Sequence, residues 1–235
     1  MSIVTAVLFD VDETLYDRPT AQIAVLAAMR REMEPLFGSL TEKRVVDAWS
    51  RSDRETEDHV FTTSNSIRES RNHRSRIFLE LLGIDPEQAD AITDYYVENY
   101  PKMRTPVEGA PEVVARCAKR VPTGVVSNAF PDVQYRKLDA IGLGSVFACV
   151  VLSEDFGARK PNPAVLLEGC RQLRSDPAAT LYVGDSFAND VVGSRSAGMI
   201  PVWFNPTSKP VPPGETAPEH ELYRLSQLLD LLPTC

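Results

Sequence analysis

The sequence predicts an α/β protein: a parallel sheet interrupted, after its first strand, by a block of helices. Three observations carry this. The chain opens on a short β-branched apolar run, Ile3-Val4-Thr5-Ala6-Val7-Leu8-Phe9, which reads as a buried strand. From about Thr20 to Tyr100 there is no convincing strand pattern. Beyond Pro106, short apolar runs alternate with helical stretches, the pattern of parallel strands joined by right-handed crossovers.

Within the inserted block, Thr20–Phe37 places Ile23, Leu26, Ala27 and Met33 at helical spacing, with Pro35 near its end. Glu42–Val60 continues helical. Ile67–Leu82 is a helix stopped by Gly83, and Pro86–Tyr100 is another with Pro86 in its first turn. Pro-containing crossings flank the block at Asp17-Arg18-Pro19 and Pro101–Pro106, which puts the domain boundaries at 1–18 plus 104–235 and at 19–103. The second part then reads helix Ala110–Arg120, strand Gly124–Ser127, helix Asp132–Ile141, strand Ala148–Leu152 and helix Pro163–Leu173. Strand Thr180–Val183, helix Asp190–Ala197 and strand Ile200–Phe204 follow, and Glu219–Leu232 is expected as a closing helix after a Pro-rich loop.

With 235 residues the chain can hold a large core or two modest domains. A net charge of −8 argues against a nucleic-acid polymer as partner, since that needs a broad basic face, but leaves room for a small anionic substrate. No apolar stretch is long enough to span a bilayer, and the N-terminus shows no signal-peptide pattern. Cys117, Cys149, Cys170 and Cys235 have no metal-type spacing and are expected as buried or free thiols in a reducing cytoplasm.

The chemistry gathers where strands end. Asp10 and Asp12 follow the first strand directly, in Asp10-Val11-Asp12-Glu13-Thr14. Ser127-Asn128 ends the next strand, Lys160-Pro161 lies beyond the third, and Gly184-Asp185-Ser186, with Asp190 further on, ends the fourth. In a parallel sheet these ends share one edge, the edge where such sheets bind ligands. Two like charges there need a compensating cation, for which a divalent metal is the simplest candidate. Carboxylates, a hydroxyl, backbone amides and a lysine together suit phosphoryl transfer, which rests on positioning and charge stabilisation. Taken singly each has another use: Ser127-Asn128 as a turn, Asp190 as a helix-start acid, Lys160 as a solvated loop lysine. Their order along the chain carries the functional reading.

These four stretches resemble the motifs of the haloacid dehalogenase-like superfamily of phosphohydrolases. Asp10-Val11-Asp12-Glu13-Thr14-Leu15 is similar to the first motif, Ser127-Asn128 to the second, Lys160-Pro161 to the third, and Gly184-Asp185-Ser186-Phe187-Ala188-Asn189-Asp190 to the fourth. The resemblance implies a Rossmann-like parallel-sheet core, an inserted helical-bundle cap and Mg²⁺. It implies Asp10 as the nucleophile that becomes an aspartyl-phosphate, and Asp12 as general acid, then base. It implies Mg²⁺ held by Asp10, Asp185 and the Asp12 carbonyl, with Asp190 holding the metal's waters or orienting Lys160. Ser127, the Asn128 amide and Lys160 would bind the phosphoryl group, and Thr14 would brace the first loop.

The resemblance implies a hydrolase of a small phosphorylated metabolite, of the nucleotide or sugar-phosphate class, acting as a monomer or homodimer. A sugar phosphomutase is the alternative; such mutases often carry a second acid where Gly184 stands. Halide-cleaving members lack an acid at the position of Asp12, which disfavours a dehalogenase, and intact motifs disfavour a catalytically silent binding protein. For substrate selection, Arg71 and Arg74 within the basic stripe Arg68–Arg76, Tyr16 and Arg18 at the hinge, and the Phe61–Ser66 loop are the candidates. The stripe also reads as a solvated, internally paired helix face, and that reading is the preferred one.

Overall fold

A computed structural model describes residues 4–56 and 66–233. The chain divides into two compact units, Met1–Arg18 with Arg104–Cys235, and Pro19–Met103.

Strand β1 (Ala6–Phe9) is apolar throughout and wholly buried. It leads into the helical unit, where α1 (Arg18–Glu32) buries Ala21, Val25 and Met29, four residues apart on one face. The expected single helix to Phe37 breaks at Met33. Pro35 has no N–H to continue the ladder, so it instead occupies the first turn of a short helix α2 (Glu34–Phe37). Helix α3 (Glu42–Thr56) buries Val45, Ala48, Trp49, Ser52 and Thr56, again at helical spacing. The continuation expected to Val60 and the Phe61–Ser66 loop, up to residue 65, lie outside the described residues.

Helix α4 (Ile67–Leu82) starts on a capping box. Ser66 N donates to Glu69 Oε2 at 2.7 Å, and Glu69 N donates to Ser66 Oγ at 3.3 Å. It stops at Gly83, whose φ of 75° lies in the left-handed region that glycine adopts freely. Helix α5 (Ala89–Asn99) completes the unit. Its core is aromatic: Trp49 stacks on Tyr96 with centroids 4.2 Å apart and meets Phe78 edge-on at 5.1 Å. Burying a side chain of this size contributes roughly 1.5–3 kcal/mol.

The other unit is a six-stranded sheet. To β1 it adds β2 (Thr123–Ser127), β3 (Cys149–Leu152), β4 (Thr180–Gly184), β5 (Ile200–Phe204) and β6 (His220–Leu222). The order is β3-β2-β1-β4-β5-β6, every pairing is parallel, and the fold is of the α/β class. The connecting helices are α6 (Ala110–Ala118), α7 (Pro131–Ala140), α8 (Ser153–Phe156), α9 (Pro163–Leu173) and α10 (Val192–Ser196). On one face Leu8, Val126, Val151 and Tyr182 pack with Val165, Leu166 and Cys170 of α9. Cys117, Cys149 and Cys170 are free thiols in the interior.

The closing helix expected over Glu219–Leu232 does not form. Its first residues pair with the open edge of β5 as β6, with Asn205 N donating to the Leu222 carbonyl at 2.7 Å. Leu225–Leu231 then winds as 3₁₀ turns that bury Leu225, Leu228 and Leu229. Likewise the helix expected from Asp190 begins only at Val192, because Asp190 lies within a π turn, Phe187–Val191. No helix among the described residues is long and apolar enough to cross a membrane.

Candidate active site

Asp10 stands one residue beyond β1. Its amide still donates to the Val183 carbonyl at 2.9 Å, so the central ladder holds until its side chain leaves the sheet. The neighbouring strands β2 and β4 end at Ser127 and Gly184, so Asp10, Ser127 and Asp185 emerge from one edge. The strand order reverses at β1, the place where open α/β sheets bind ligands.

Lys160 is the centre of the cluster and is 4% exposed. Its Nζ donates to Asp10 Oδ1 at 2.7 Å, to Asp190 Oδ1 at 2.7 Å and to the Tyr182 hydroxyl at 2.8 Å. The Tyr182 hydroxyl in turn donates to the Val126 carbonyl at 2.7 Å. Asn128 fixes the lysine's main chain: Lys160 N donates to Asn128 Oδ1 at 2.8 Å, and Asn128 Nδ2 donates to the Lys160 carbonyl at 3.0 Å. Asn128 was expected to act through its own amide; the structure adds this side-chain clamp. Asp190, on the π turn, accepts from Ser186 N at 2.9 Å through Oδ2, so both its oxygens are engaged within the protein. A Cβ on Gly184 would overlap the Asp190 carboxyl, which makes a bare residue before Asp185 a packing requirement.

Asp10, Asp185 and Asp190 offer oxygens that all lie within 4.8 Å of one another. Burial pushes Asp10 up to about 6, with Lys160 opposing the shift and Asp190 adding to it. Burial, then the charges of Asp10 and Asp190, push Asp185 up to about 7; Lys209, 3.6 Å away, opposes this weakly. Burial also disfavours the Lys160 charge, but Asp10 and Asp190 outweigh it and hold the ammonium well above its ordinary value. One buried ammonium does not neutralise three acids. An all-carboxylate donor set without His or Cys fits a hard divalent cation such as Mg²⁺. Asp10 and Asp185, whose carboxylates are not engaged through both oxygens as that of Asp190 is, are the acids that would hold it.

The pH response of the metal-free protein follows. A carboxyl whose pKa is raised on folding contributes stability that is complete below its unfolded value and is lost as pH rises through the folded one. Asp10 and Asp185 should therefore lower stability between about pH 4 and pH 7. Thermal unfolding in EDTA is expected to show a falling melting temperature across that window, and excess Mg²⁺ is expected to remove the fall. An EDTA profile that rises through the window would contradict the charge balance described here.

Asp12 lies outside this cluster. Lys137 of α7 donates to Asp12 Oδ1 at 2.7 Å and Oδ2 at 3.0 Å. One turn earlier on α7, Gln134 Nε2 donates to Ser127 Oγ at 3.1 Å. With its oxygen accepting there, the Ser127 hydroxyl proton is free to point to an anion. Glu13, between Asp12 and Thr14, has a φ of 60°, an uncommon conformation for a residue with a side chain. Val11 holds that loop, its carbonyl accepting from Leu15 N at 2.8 Å and Tyr16 N at 2.9 Å. Thr14 is fully buried, and its hydroxyl has no hydrogen-bond partner among the described residues, so its bracing is steric.

The candidate selectivity residues divide. Tyr16 is fully buried, with the Lys137 ammonium 5.3 Å from its ring centroid. Arg18 is half-buried. In the helical unit, Arg74 pairs with Asp53 at 3.0 Å and lies over the rings of Trp49 and Tyr96, at 4.4 and 5.0 Å from their centroids. Arg68 pairs with Asp94 at 2.7 Å, and Arg71 is half-buried on the same helix. Arg68 and Arg74 thus serve their own unit.

The sequence profile described as haloacid dehalogenase-like hydrolase matches residues 7–204. The chain belongs to this family. It is 28% identical to the glyceraldehyde 3-phosphate phosphatase of Methanopyrus kandleri, over 97% of each chain. Its fold is similar to that of the HAD-hydrolase YfnB of Bacillus subtilis, solved bound to magnesium, with a TM-score of 0.83 at 23% identity over 99% of this chain and 100% of that one. It is also similar to the 2-haloacid dehalogenase of Pseudomonas syringae pv. Tomato DC3000, with a TM-score of 0.65 and 27% identity over 97% and 98% of the two chains.

For this haloacid dehalogenase-like hydrolase, sequence reasoning missed Lys137, Gln134 and Tyr182. Gln134 and Lys137 are three residues apart and so share a helix face directly after Ser127-Asn128, which is a legible signal. Lysine is so rarely buried that residue type alone points the other way. Tyr182 lies within the expected strand Thr180–Val183, and its hydroxyl accepts from Lys160 Nζ in the site.

Proposed function

We propose that this hydrolase removes the phosphoryl group from a small phosphomonoester, of the nucleotide or sugar-phosphate class, through an aspartyl-phosphate on Asp10. The observation that carries the reading is Lys160, one buried ammonium shared by Asp10 and Asp190 at 2.7 Å each. It holds one oxygen of Asp10 and leaves the other to attack. The relative of equal length that acts on a triose phosphate supports a small sugar-phosphate substrate.

In this reading Asp10 Oδ2 attacks phosphorus, the bond from phosphorus to the leaving oxygen breaks, and Asp12 gives that oxygen a proton. Asp12 then takes a proton from water, whose oxygen attacks phosphorus. The phosphorus–Asp10 bond breaks, restoring the carboxylate and releasing phosphate. Ser127, the Asn128 amide and Lys160 hold the phosphoryl oxygens. Asp10, Asp185 and the Asp12 carbonyl would hold Mg²⁺, which supplies positive charge against those oxygens. The helical unit serves as the cap that selects the leaving group.

Two neighbouring activities differ in single residues. For the phosphomutase alternative, Gly184 stands where the second acid would be, packed against the Asp190 carboxyl, which favours the hydrolase reading. A dehalogenase has no leaving alkoxide to protonate and no use for Asp12. Phosphate release from a panel of phosphomonoesters, run beside sugar-phosphate isomerisation and halide-release assays, tests the reading. Phosphate release is expected to need Mg²⁺, to vanish with EDTA and to be inhibited by Ca²⁺, whose looser coordination disturbs in-line geometry. Full activity after exhaustive chelation would refute it.

A further inference from the structure

We infer that Lys137 is a positioning residue for the proton-handling carboxylate, Asp12. The inference rests on the phosphatase reading above, in which Asp12 serves both chemical steps. Its ground is geometric. Lys137 projects from α7 into the interior, and its side chain is 5% exposed against 27% for Asp12. The ammonium bonds both oxygens of Asp12, at 2.7 and 3.0 Å, so it fixes the plane of the carboxylate as well as its distance. Asp12 lies three residues past the end of β1, beside a left-handed Glu13, and its side chain has torsional freedom that the loop alone does not remove.

The support behind Lys137 is itself built. Tyr16 is fully buried beneath the ammonium, at 5.3 Å from ring centroid to Nζ, and the Tyr16 amide is tied to the Val11 carbonyl at 2.9 Å. The same helix face sends Gln134 to Ser127 at 3.1 Å. One rigid helix therefore sets two groups that the reaction needs at fixed separation: the phosphate-binding hydroxyl, and the acid that must reach the leaving oxygen and then the water. Orientation of this kind is a large part of what a site contributes, because a displacement of about an ångström costs on the order of 10²-fold in rate. Asp12 keeps 27% of its side chain exposed while both of its oxygens are held by Lys137.

The test is a double-mutant cycle with Asp12, read in single turnover. Lys137→Met keeps the length of the buried chain and removes the two bonds; Lys137→Gln and Lys137→Arg accompany it, and circular dichroism and melting temperature establish which variants fold. With an alkyl phosphate, Lys137→Met is expected to slow both formation and hydrolysis of the aspartyl-phosphate by about tenfold or more, within the roughly 10²–10⁴-fold scale of general acid–base catalysis. With p-nitrophenyl phosphate, whose leaving group needs no proton, formation should slow by less than about threefold while hydrolysis still slows. Lys137→Arg should recover part of the loss. In an Asp12→Ala background, adding Lys137→Met should change either rate by less than about twofold, as expected of two residues acting as one unit.

Wild-type hydrolysis of the aspartyl-phosphate in a folded Lys137→Met or Lys137→Gln protein would overturn the inference. So would a loss of the same size with and without Asp12, the mark of a merely structural lysine. Failure of the wild-type enzyme to form an aspartyl-phosphate from any ester is a separate result, which removes the phosphatase reading and this inference with it.

Discussion

Asp10→Asn is expected to abolish turnover, by about 10⁴-fold or more, while the metal-free protein stays at least as stable as wild type above about pH 7. The two halves of this result have separate causes. In the proposed reaction the amide cannot form the aspartyl-phosphate, so the first covalent step is lost with every ester, activated or not. Stability behaves differently because Asp10 is a carboxylate that burial and Asp190 disfavour, being pushed up to about 6. An isosteric neutral group removes that cost, and Lys160 keeps Asp190 as a partner at 2.7 Å. Steady-state phosphate release and thermal unfolding in EDTA check the two halves. Activity near wild type in pure Asp10→Asn protein would remove the nucleophile assignment, and a large fall in melting temperature would show that Asp10 is chiefly a structural partner of Lys160.

The residues behind this prediction were legible to different degrees. Asp10 could be placed from the sequence because a buried strand of four apolar residues runs straight into it, and the end of such a strand has one location in a parallel sheet. Asp185 follows β4 in the same way. Asp190 was placed nearby with Lys160 among its expected partners, but its bond to Ser186 N was not foreseen, because a π turn rather than an α-helix carries it and nothing in Phe187–Val191 announces that change. Lys137 needed the tertiary fold. The failed helix at Glu219–Leu232 has a similar cause. Leu225, Leu228 and Leu229 have helical spacing, but the unpaired edge of β5 recruits His220–Leu222 first, and the remaining residues are enough only for 3₁₀ turns. The break at Met33 was written in Pro35, whose missing N–H bars a continuous helix to Phe37.

The other large effect is expected at Lys160. Lys160→Met should cost roughly 3–5 kcal/mol of stability at about pH 8 without metal, the scale for breaking a buried ion pair by removing one partner. The lysine side chain is 3% exposed, and its loss leaves Asp10 and Asp190 in the interior with no ammonium between them. The thioether fills much the same volume, so the loss is one of charge rather than packing. The sign of the pH response follows. Lys160 is what opposes the rise in the pKa of Asp10, so without it the carboxyl moves further above its ordinary value. Its raised pKa means that stability is present at low pH and is lost as pH rises through neutrality. The variant should therefore recover toward wild type between about pH 8 and pH 5, and excess Mg²⁺ at about pH 8 should recover part of the same deficit, because a divalent cation supplies the missing charge. Turnover should stay low under all of these conditions, since the cation that restores the balance does not restore the ammonium that, in the proposed reaction, holds the phosphoryl oxygens. Equal melting temperatures for Lys160→Met and wild type in EDTA at pH 8 would mean that the acids around Lys160 are already neutral in the native protein, and the charge assignments on which the site is built would fall.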